Sequence, residues 1–274
     1  MIQEEVRYQF LRPAEIVVRR EAFPAAYIPI GNIEWHGPQN PLGADTLQAE
    51  GLSVMAARLG GGLVLPPLYY GENRSQVLQE TKEAYREKIA KEMQLEPKNF
   101  LPEFFPFSAA EQARNYQVLL IHILAQAETL GFKAAVLVAG HYPLIDSARA
   151  AVLEYNLRVL HQRPNNGMLS WATMDVPLCA EKYPDGGDHG CCWETSHLMH
   201  LYPECVDLDT LPGDEKELIP GLDGKYPPQT STAEFGRETL TFAAEQLVKE
   251  VTHRLLHREA YARCGHWLDE GLWR

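Results

Sequence analysis

Six consecutive apolar residues, Ala134–Ala139 (AAVLVA), constrain the fold more than any other stretch of this chain. A run this short, with valines at alternate positions and a Gly-containing turn before it, reads as a strand buried on both faces. Residues 144–161 follow it at once with helical spacing. A strand feeding straight into a helix is the unit of a parallel sheet, because parallel neighbours need a long crossover between them. The pattern recurs along the chain. Residues 25–30 (AAYIPI), 63–68 (LVLPPL) and 168–174 (MLSWATM) read as further strands, the second held to an edge or a strand end by its prolines. Residues 46–59, 108–130 and 233–256 read as helices. Ser108 and Glu111 stand three apart as a capping box, and Gly131 ends that helix. Leu240, Ala243, Ala244, Leu247, Val248 and Val251 give the last helix one apolar face. The expectation is an α/β fold, a three-layer α/β/α arrangement around a mostly parallel sheet.

Residues 1–274 are expected to form a single domain. Residues 72–107 interrupt the alternation with a charged stretch (ETKEAYREKIAKEM) and then a Pro- and Phe-rich one (PKNFLPEFFPF). They read as an insertion packed over another part of the chain or against a neighbouring subunit. Residues 213–228 read as a long loop. A net charge of −12, from 25 Lys and Arg against 37 Asp and Glu, argues against a nucleic-acid partner, which clustered cations would hold. No run of about 18 apolar residues suggests a membrane span. The first twenty residues show no apolar core of a secretory leader. The five cysteines, Cys179, Cys191, Cys192, Cys205 and Cys264, are odd in number and scattered, as in reduced cytoplasmic proteins. A cytoplasmic protein acting on a small molecule is the expectation.

Three segments carry chemistry. The first, residues 31–46 (GNIEWHGPQNPLGADT), begins where the first strand ends. Glu34 and His36 are two apart, so in extended backbone they project from one face, and Asp45 arrives just before a helix. Two carboxylates and an imidazole at one strand tip make a mixed oxygen and nitrogen set suited to a first-row metal. The alternative is that Asp45 caps its helix while Glu34 and His36 face solvent. The second segment is Ala139-Gly140-His141, at the carboxyl end of the clearest strand, where open α/β sheets form their ligand crevices. A hydrogen-bonded structural histidine would read the same way. The third, residues 185–196 (DGGDHGCCWETS), sets His189 and Glu194 five apart across a Gly-rich loop. There the alternative is a turn with Glu194 favoured by the helix dipole. Cys191 and Cys192 have no CxxC spacing and no activating base, so neither reads as nucleophile or zinc thiolate.

In this order and spacing the segments resemble the creatininase (creatinine amidohydrolase) family. That family's first motif, approximately E-x-H-G-P-H-L-P-L-G-x-D-T, faces EWHGPQNPLGADT at residues 34–46. Its N-G-H-G-G-N faces AGHYPL at 139–144, and its H-A-G-x-x-E-T-S faces HGCCWETS at 189–196. A later A-x-x-E-x-G segment looks like STAEFGR at 231–237. The resemblance covers nearly the whole chain except 72–107. It implies a dinuclear metal hydrolase on the three-layer fold, with two divalent ions per chain: zinc first, manganese or iron as alternatives. Glu34 and His141 would hold one ion, His36 and Glu194 the other, and Asp45 would bridge them around a shared hydroxide. His189 would be the proton shuttle or a donor to the tetrahedral oxyanion. The implied reaction is hydrolysis of a C–N bond in a cyclic or small linear non-peptide amide. The alternatives are ring opening of a cyclic ketone or lactone, and a metal-binding scaffold without turnover. A homo-oligomer, often a hexamer in this family, is also implied, with exposed-looking Phe100, Phe104, Phe105 and Phe107 either supplying an interface or covering the chain's own core.

The chain departs from the family pattern at several positions. Pro143 stands where creatininases proper carry a ligand glutamate, so the second ion would rely on Glu194. Ala139 and Leu144 replace asparagines, Cys192 replaces an acid, and Gln39 and Asn40 replace His-Leu. YPDGGD before His189 lacks the aromatic lining of a creatinine pocket, which argues against creatinine itself.

Overall fold

A computed structural model describes residues 5–71, 76–163, 166–215 and 217–261. Cys264 lies outside the described residues, as do residues 72–75 of the charged segment. Four strands form one sheet: β1 (Ala25–Ile30), β2 (Leu63–Val64), β3 (Ala134–Ala139) and β4 (Leu169–Met174), in the order β2-β1-β3-β4. All pairings are parallel, with Ala25 opposite Ala134 and Ala134 opposite Leu169. Every residue of β1 and β3 is buried, as uninterrupted apolar strands between two helical layers must be.

The helices follow from the order of the strands. The described residues hold α1 (Pro13–Ala22), α2 (Ala44–Gly60), α3 (Glu83–Glu92), α4 (Ala109–Thr129), α5 (Leu144–Gln162), α6 (Asp175–Cys179), α7 (Cys192–Leu201), α8 (Ala233–Leu256) and α9 (Arg258–Tyr261). The chain runs outward from β1 through α2 to β2, then doubles back past β1 to β3 and onward to β4. Right-handed crossovers taken in opposite directions put α2 on one face and α4 and α5 on the other. Accordingly α7 and α8 pack with α2, and α4 packs with α5. The reversal lies between β1 and β3. Their carboxyl ends, Ile30 and Ala139, flank the crevice where ligands bind in open α/β sheets.

Several local expectations shift by a few residues. The strand expected at 63–68 shortens to Leu63–Val64, because Pro66 and Pro67 have no N–H to give a ladder. Leu68 then rejoins through a bridge to Ile30. The helix expected from Thr46 begins at Ala44 after Gly43, so Asp45 lies inside its first turn and does not cap it. The capping box forms: the Ser108 N–H donates to Glu111 Oε2 at 2.8 Å, and the Glu111 N–H to Ser108 Oγ at 3.3 Å. The described part of that segment, residues 76–107, folds onto the sheet's crevice end. Gln79, Glu80, Thr81, Ile89, Ala90 and Phe100 are all buried. Of the four phenylalanines read either as an interface or as cover for the chain's own core, Phe100 is buried as cover, whereas Phe104 and Phe107 are exposed. Among the described residues no helix is long and apolar enough to cross a membrane.

Candidate metal centre

Glu34 and His36 leave β1 on a loop whose Glu34 N–H donates to the Leu42 carbonyl at 2.9 Å, folding residues 34–42 back toward the start of α2. That return brings Asp45 beneath them. His141 comes from the neighbouring strand tip, and Gly140 is what lets it approach. A Cβ on Gly140 would lie 1.8 Å from the Asp45 carbonyl oxygen, so any side chain would push β3 and α2 apart. Gly190 performs the same service for the third segment. Its φ of +65° suits glycine, and a Cβ there would sit 2.8 Å from the His36 carbonyl oxygen.

The side chains converge in two triads that share one residue. His141 Nδ1 lies 2.9 Å from Glu34 Oε2 and 3.2 Å from Asp45 Oδ2. His36 Nε2 lies 2.8 Å from Asp45 Oδ1 and 3.5 Å from Glu194 Oε2. Glu34, Asp45 and His141 form one cation-sized group, and His36, Asp45 and Glu194 another, each with its ligand atoms within 4.8 Å of one another. Glu34, His36 and His189 form a third. Glu34, His36, Asp45, His141 and Glu194 are all buried. The sequence-predicted ligand set, with His189, is thus brought to one point, and the solvent-facing alternative for Glu34 and His36 does not hold.

The donors are aimed by hydrogen bonds on their far sides. His36 donates Nδ1–H to the Glu34 carbonyl at 3.1 Å, which turns Nε2 toward Asp45 and Glu194. His189 donates Nε2–H to the Trp35 carbonyl at 2.8 Å, leaving Nδ1 free, and its ring lies 4.2 Å from that of His36. Glu34 Oε1 accepts the Gln79 N–H at 2.8 Å, while Glu194 Oε2 accepts the Gly190 N–H at 2.7 Å. On the inner side, Glu34 Oε2, His36 Nε2 and Asp45 Oδ2 are buried without an aligned hydrogen bond. A buried polar atom left so costs about 1–3 kcal/mol, and these three stand in the two cation-sized groups that share Asp45.

Charge makes the same case. Burial opposes protonation of His36, yet Asp45 and Glu194 raise its pKa well above the ordinary range. Burial likewise opposes His141, and the Asp45 and Glu34 charges override it, pushing it up to about 10. Asp45 is buried too, but the His36 and His141 charges hold it far below the usual carboxylate range. Glu34 is lowered in the same way by His141. Burial raises Glu194 to about 8 against the pull of His36. Burial, then the His36 charge, lowers His189 to about 4. Protons on the two ligand histidines thus supply the positive charge that a metal would otherwise bring, displacing them.

The departures noted in the sequence acquire structural roles. Gln39 Nε2 donates to the Gly190 carbonyl at 2.7 Å, and Asn40 Nδ2 to Thr195 Oγ1 at 2.8 Å. The two amides therefore staple the His36 loop to the start of α7. Leu144 is fully buried in the core, and Pro143 precedes the first turn of α5. Cys191 is buried, which pushes its thiol up to about 12, so it offers no thiolate. Four contributors were not assigned from sequence. Asp188 accepts the N–H groups of Cys191, Trp193 and Glu194 at 3.3, 2.6 and 3.2 Å, organising the turn that carries Glu194. An aspartate just ahead of a helix was the available signal. Gln79 and Glu80 reach the site from the charged segment, with Glu80 Oε2 accepting the Trp35 N–H at 3.3 Å, and no local pattern announces that. His197 is buried beside the site, 3.1 Å from Gln48 Oε1 and 2.9 Å from Thr239 Oγ1, and burial lowers it to about 4.

A cavity of about 410 Å³ opens over the cluster, bounded by Asp45, His141, His189 and Glu194 on one side. A second, of about 360 Å³, shares the wall formed by Gly186, Gly187, Asp188 and Trp193. The first is large enough for a small molecule whose reactive bond lies at the shared carboxylate.

The family model described as creatinine amidohydrolase (Creatininase) matches residues 11–251. The creatinine amidohydrolase of Pseudomonas putida is 23% identical over 206 residues, which cover 72% of this chain and 71% of that protein. A crystal structure of creatinine amidohydrolase (creatininase) has a TM-score of 0.65 at 20% identity, covering 92% of this chain and 98% of the other. A putative creatinine amidohydrolase from Bacteroides fragilis has a TM-score of 0.63 at 18% identity, covering 96% and 98%. At such identities the structural likenesses speak to the fold, which they share with this chain. Since the family match runs through every segment that builds the buried cluster, the chain belongs to the creatininase family.

Proposed function

We propose that the protein is a dinuclear metal-dependent hydrolase that cleaves a C–N bond in a cyclic or small linear non-peptide amide. The observation that carries this reading is the sharing of Asp45 between two buried triads. Glu34 and His141 would hold one divalent ion, His36 and Glu194 the other, and Asp45 would bridge them. When bound, such a pair lowers the pKa of water and polarises a carbonyl oxygen. Solved creatininases similar to this chain include one described as a manganese form and one as a Zn-Zn type, so zinc and manganese are the ions to try first.

The chain's own residues supply the rest. Burial of the cluster keeps bulk water away from the reacting bond. The hydrogen bonds on His36, Glu34 and Glu194 fix the donors before substrate arrives. His189 packs its ring 4.2 Å from that of His36 with Nε2 committed to the Trp35 carbonyl, so Nδ1 is the nitrogen free to take or give a proton at the leaving group. A homo-oligomer, the hexamer included, belongs to the same proposal and is checked by sedimentation velocity.

The test is metal content per chain by plasma mass spectrometry on protein purified without chelator, for wild type and Asp45→Asn. Two ions in the wild type, with loss of both from a folded Asp45→Asn, is the expected result. One ion in the wild type would leave mononuclear chemistry. A panel of cyclic amides, N-formyl amines, lactones and keto-cyclitols then addresses the bond, and turnover confined to the last two would replace the amidase reading with ring opening.

A further inference from the structure

Asp175 is the first residue of α6, directly beyond the end of β4, and none of the roles above includes it. It stands at the carboxyl edge of the strand beside the one that delivers His141, so the sheet places it at the same crevice. It lines the cavity over the cluster together with His141, His189 and Glu194. Its Oδ2 accepts the Trp193 indole N–H at 2.6 Å, which holds the carboxylate in one orientation. Among the described residues no hydrogen bond reaches Oδ1, and the side chain remains 17% exposed.

The other charges of the wall do not neutralise it. His197 Nδ1 lies 3.8 Å from Oδ2, and burial keeps that imidazole neutral. Asp188 lines the cavity too, but both its oxygens are committed to the N–H groups at the start of α7. Among the described residues the wall contains no arginine, and its one lysine, Lys82, is exposed at the start of α3. In the dinuclear reading the ligand carboxylates are matched by the ions they hold. Asp175 and Asp223 are the carboxylates of the wall left over; Asp223 is exposed to solvent, whereas Asp175, 17% exposed, keeps an unspent negative charge facing the substrate space.

We propose that Asp175 is the specificity-determining residue of this cavity, and that the substrate carries a protonated nitrogen and neither a carboxylate nor a phosphate. This rests on the dinuclear reading. An ammonium group donates to the open Oδ1 and matches the charge, forming the stronger, charge-assisted kind of hydrogen bond. A carboxylate or phosphate in its place would meet a fixed like charge, the wall's one lysine, Lys82, being exposed at the start of α3, and this discriminates by repulsion as well as by attraction.

Three hydroxamates of one chain length separate these possibilities, because the hydroxamate head anchors to metal while the tail probes the wall. Propionohydroxamate has a neutral tail, β-alanine hydroxamate an ammonium and succinic monohydroxamate a carboxylate. Their dissociation constants on the zinc-loaded protein are to be measured by calorimetry for wild type, Asp175→Asn and Asp175→Glu. In the wild type the ammonium tail is expected to bind about tenfold tighter than the neutral one, and the carboxylate tail about tenfold weaker. Asp175→Asn keeps an oxygen for the Trp193 indole and removes the charge. It should bring the three constants together while leaving propionohydroxamate unchanged, and Asp175→Glu should preserve the order. Equal binding of the charged tails by the wild type, or an ammonium preference that survives in Asp175→Asn, overturns the assignment. Failure of all three compounds to bind, propionohydroxamate included, would instead remove the dinuclear reading and this inference with it.

Discussion

Gly140 sets the tolerance of the centre. Its missing side chain is the reason the His141 strand tip and the Asp45 turn can touch, and the 1.8 Å approach of a notional Cβ is to backbone, which cannot rotate away. Gly140→Ala is therefore expected to destabilise the fold by about 1–3 kcal/mol, as overpacking does, and to reduce metal retention at the same time. Urea denaturation read beside metal content checks both; a variant with native stability and full metal would show that the contact relaxes freely. The residues of the cluster were legible as candidates because each follows a strand end or opens a helix, and their division between two ions came from the family resemblance alone. Glu34, His36 and His141 sit beyond apolar runs, and Asp45 and Glu194 lie in the first turns of α2 and α7. Asp175 obeys the same rule after β4 and was passed over because nothing near it repeats a known pattern. Asp188 was quoted as part of its loop without its bonds, since three backbone donors on one carboxylate are a product of folding.

At the scale of elements, the 79–81 turn is the clearest link between the charged segment and the centre. Gln79 is the first residue of a 3-10 turn, Leu78 before it is extended, and the Gln79 N–H is spent on Glu34 Oε1. Proline suits the first position of such a turn and an extended residue suits the position before it. Gln79→Pro should consequently keep the turn and delete that one bond. Loss of such an outer partner weakens metal binding by about 10–100-fold, so competition with a chelating dye should report a drop on that scale for the ion assigned to Glu34. An unchanged affinity would show that Glu34 is aimed by packing alone. The strands and long helices were predictable to within a few residues, as with the capping box at Ser108 and the uninterrupted run of β3. The fold of residues 76–107 was not, because its buried side chains, Gln79, Glu80, Ile89 and Phe100, have no period of their own and are chosen by the surface they cover.

For the whole molecule, the cluster gathers three carboxyl groups in the interior of a protein that already carries −12. Glu34, Asp45 and Glu194 stand together in the interior, held by protonation of His36 and His141. Cations that bind only the folded form stabilise it by mass action, about 2.7 kcal/mol at one hundred times their dissociation constant. Treatment with EDTA is expected to lower the melting temperature by several degrees, and zinc or manganese should restore it. Calorimetric scans before and after chelation check this, and an unchanged midpoint would mean that the centre contributes nothing to global stability. Topology explains why one family match extends from residue 11 to residue 251 although the centre uses so few side chains. The sheet order, with its reversal between β1 and β3, is needed to make those few meet.

The shared position of Asp45 also has a consequence in time. A chain emerging from the ribosome presents Glu34, His36 and Asp45 early and His141 well after them, so the first triad can close while synthesis continues. The second waits for Glu194, whose turn needs Asp188 and Gly190 beside it, and Asn40 cannot grip Thr195 until that helix exists. On the proposed dinuclear reading, the direction of translation would order the loading: the carboxylate between the two places would be claimed from one side before the other side had been made.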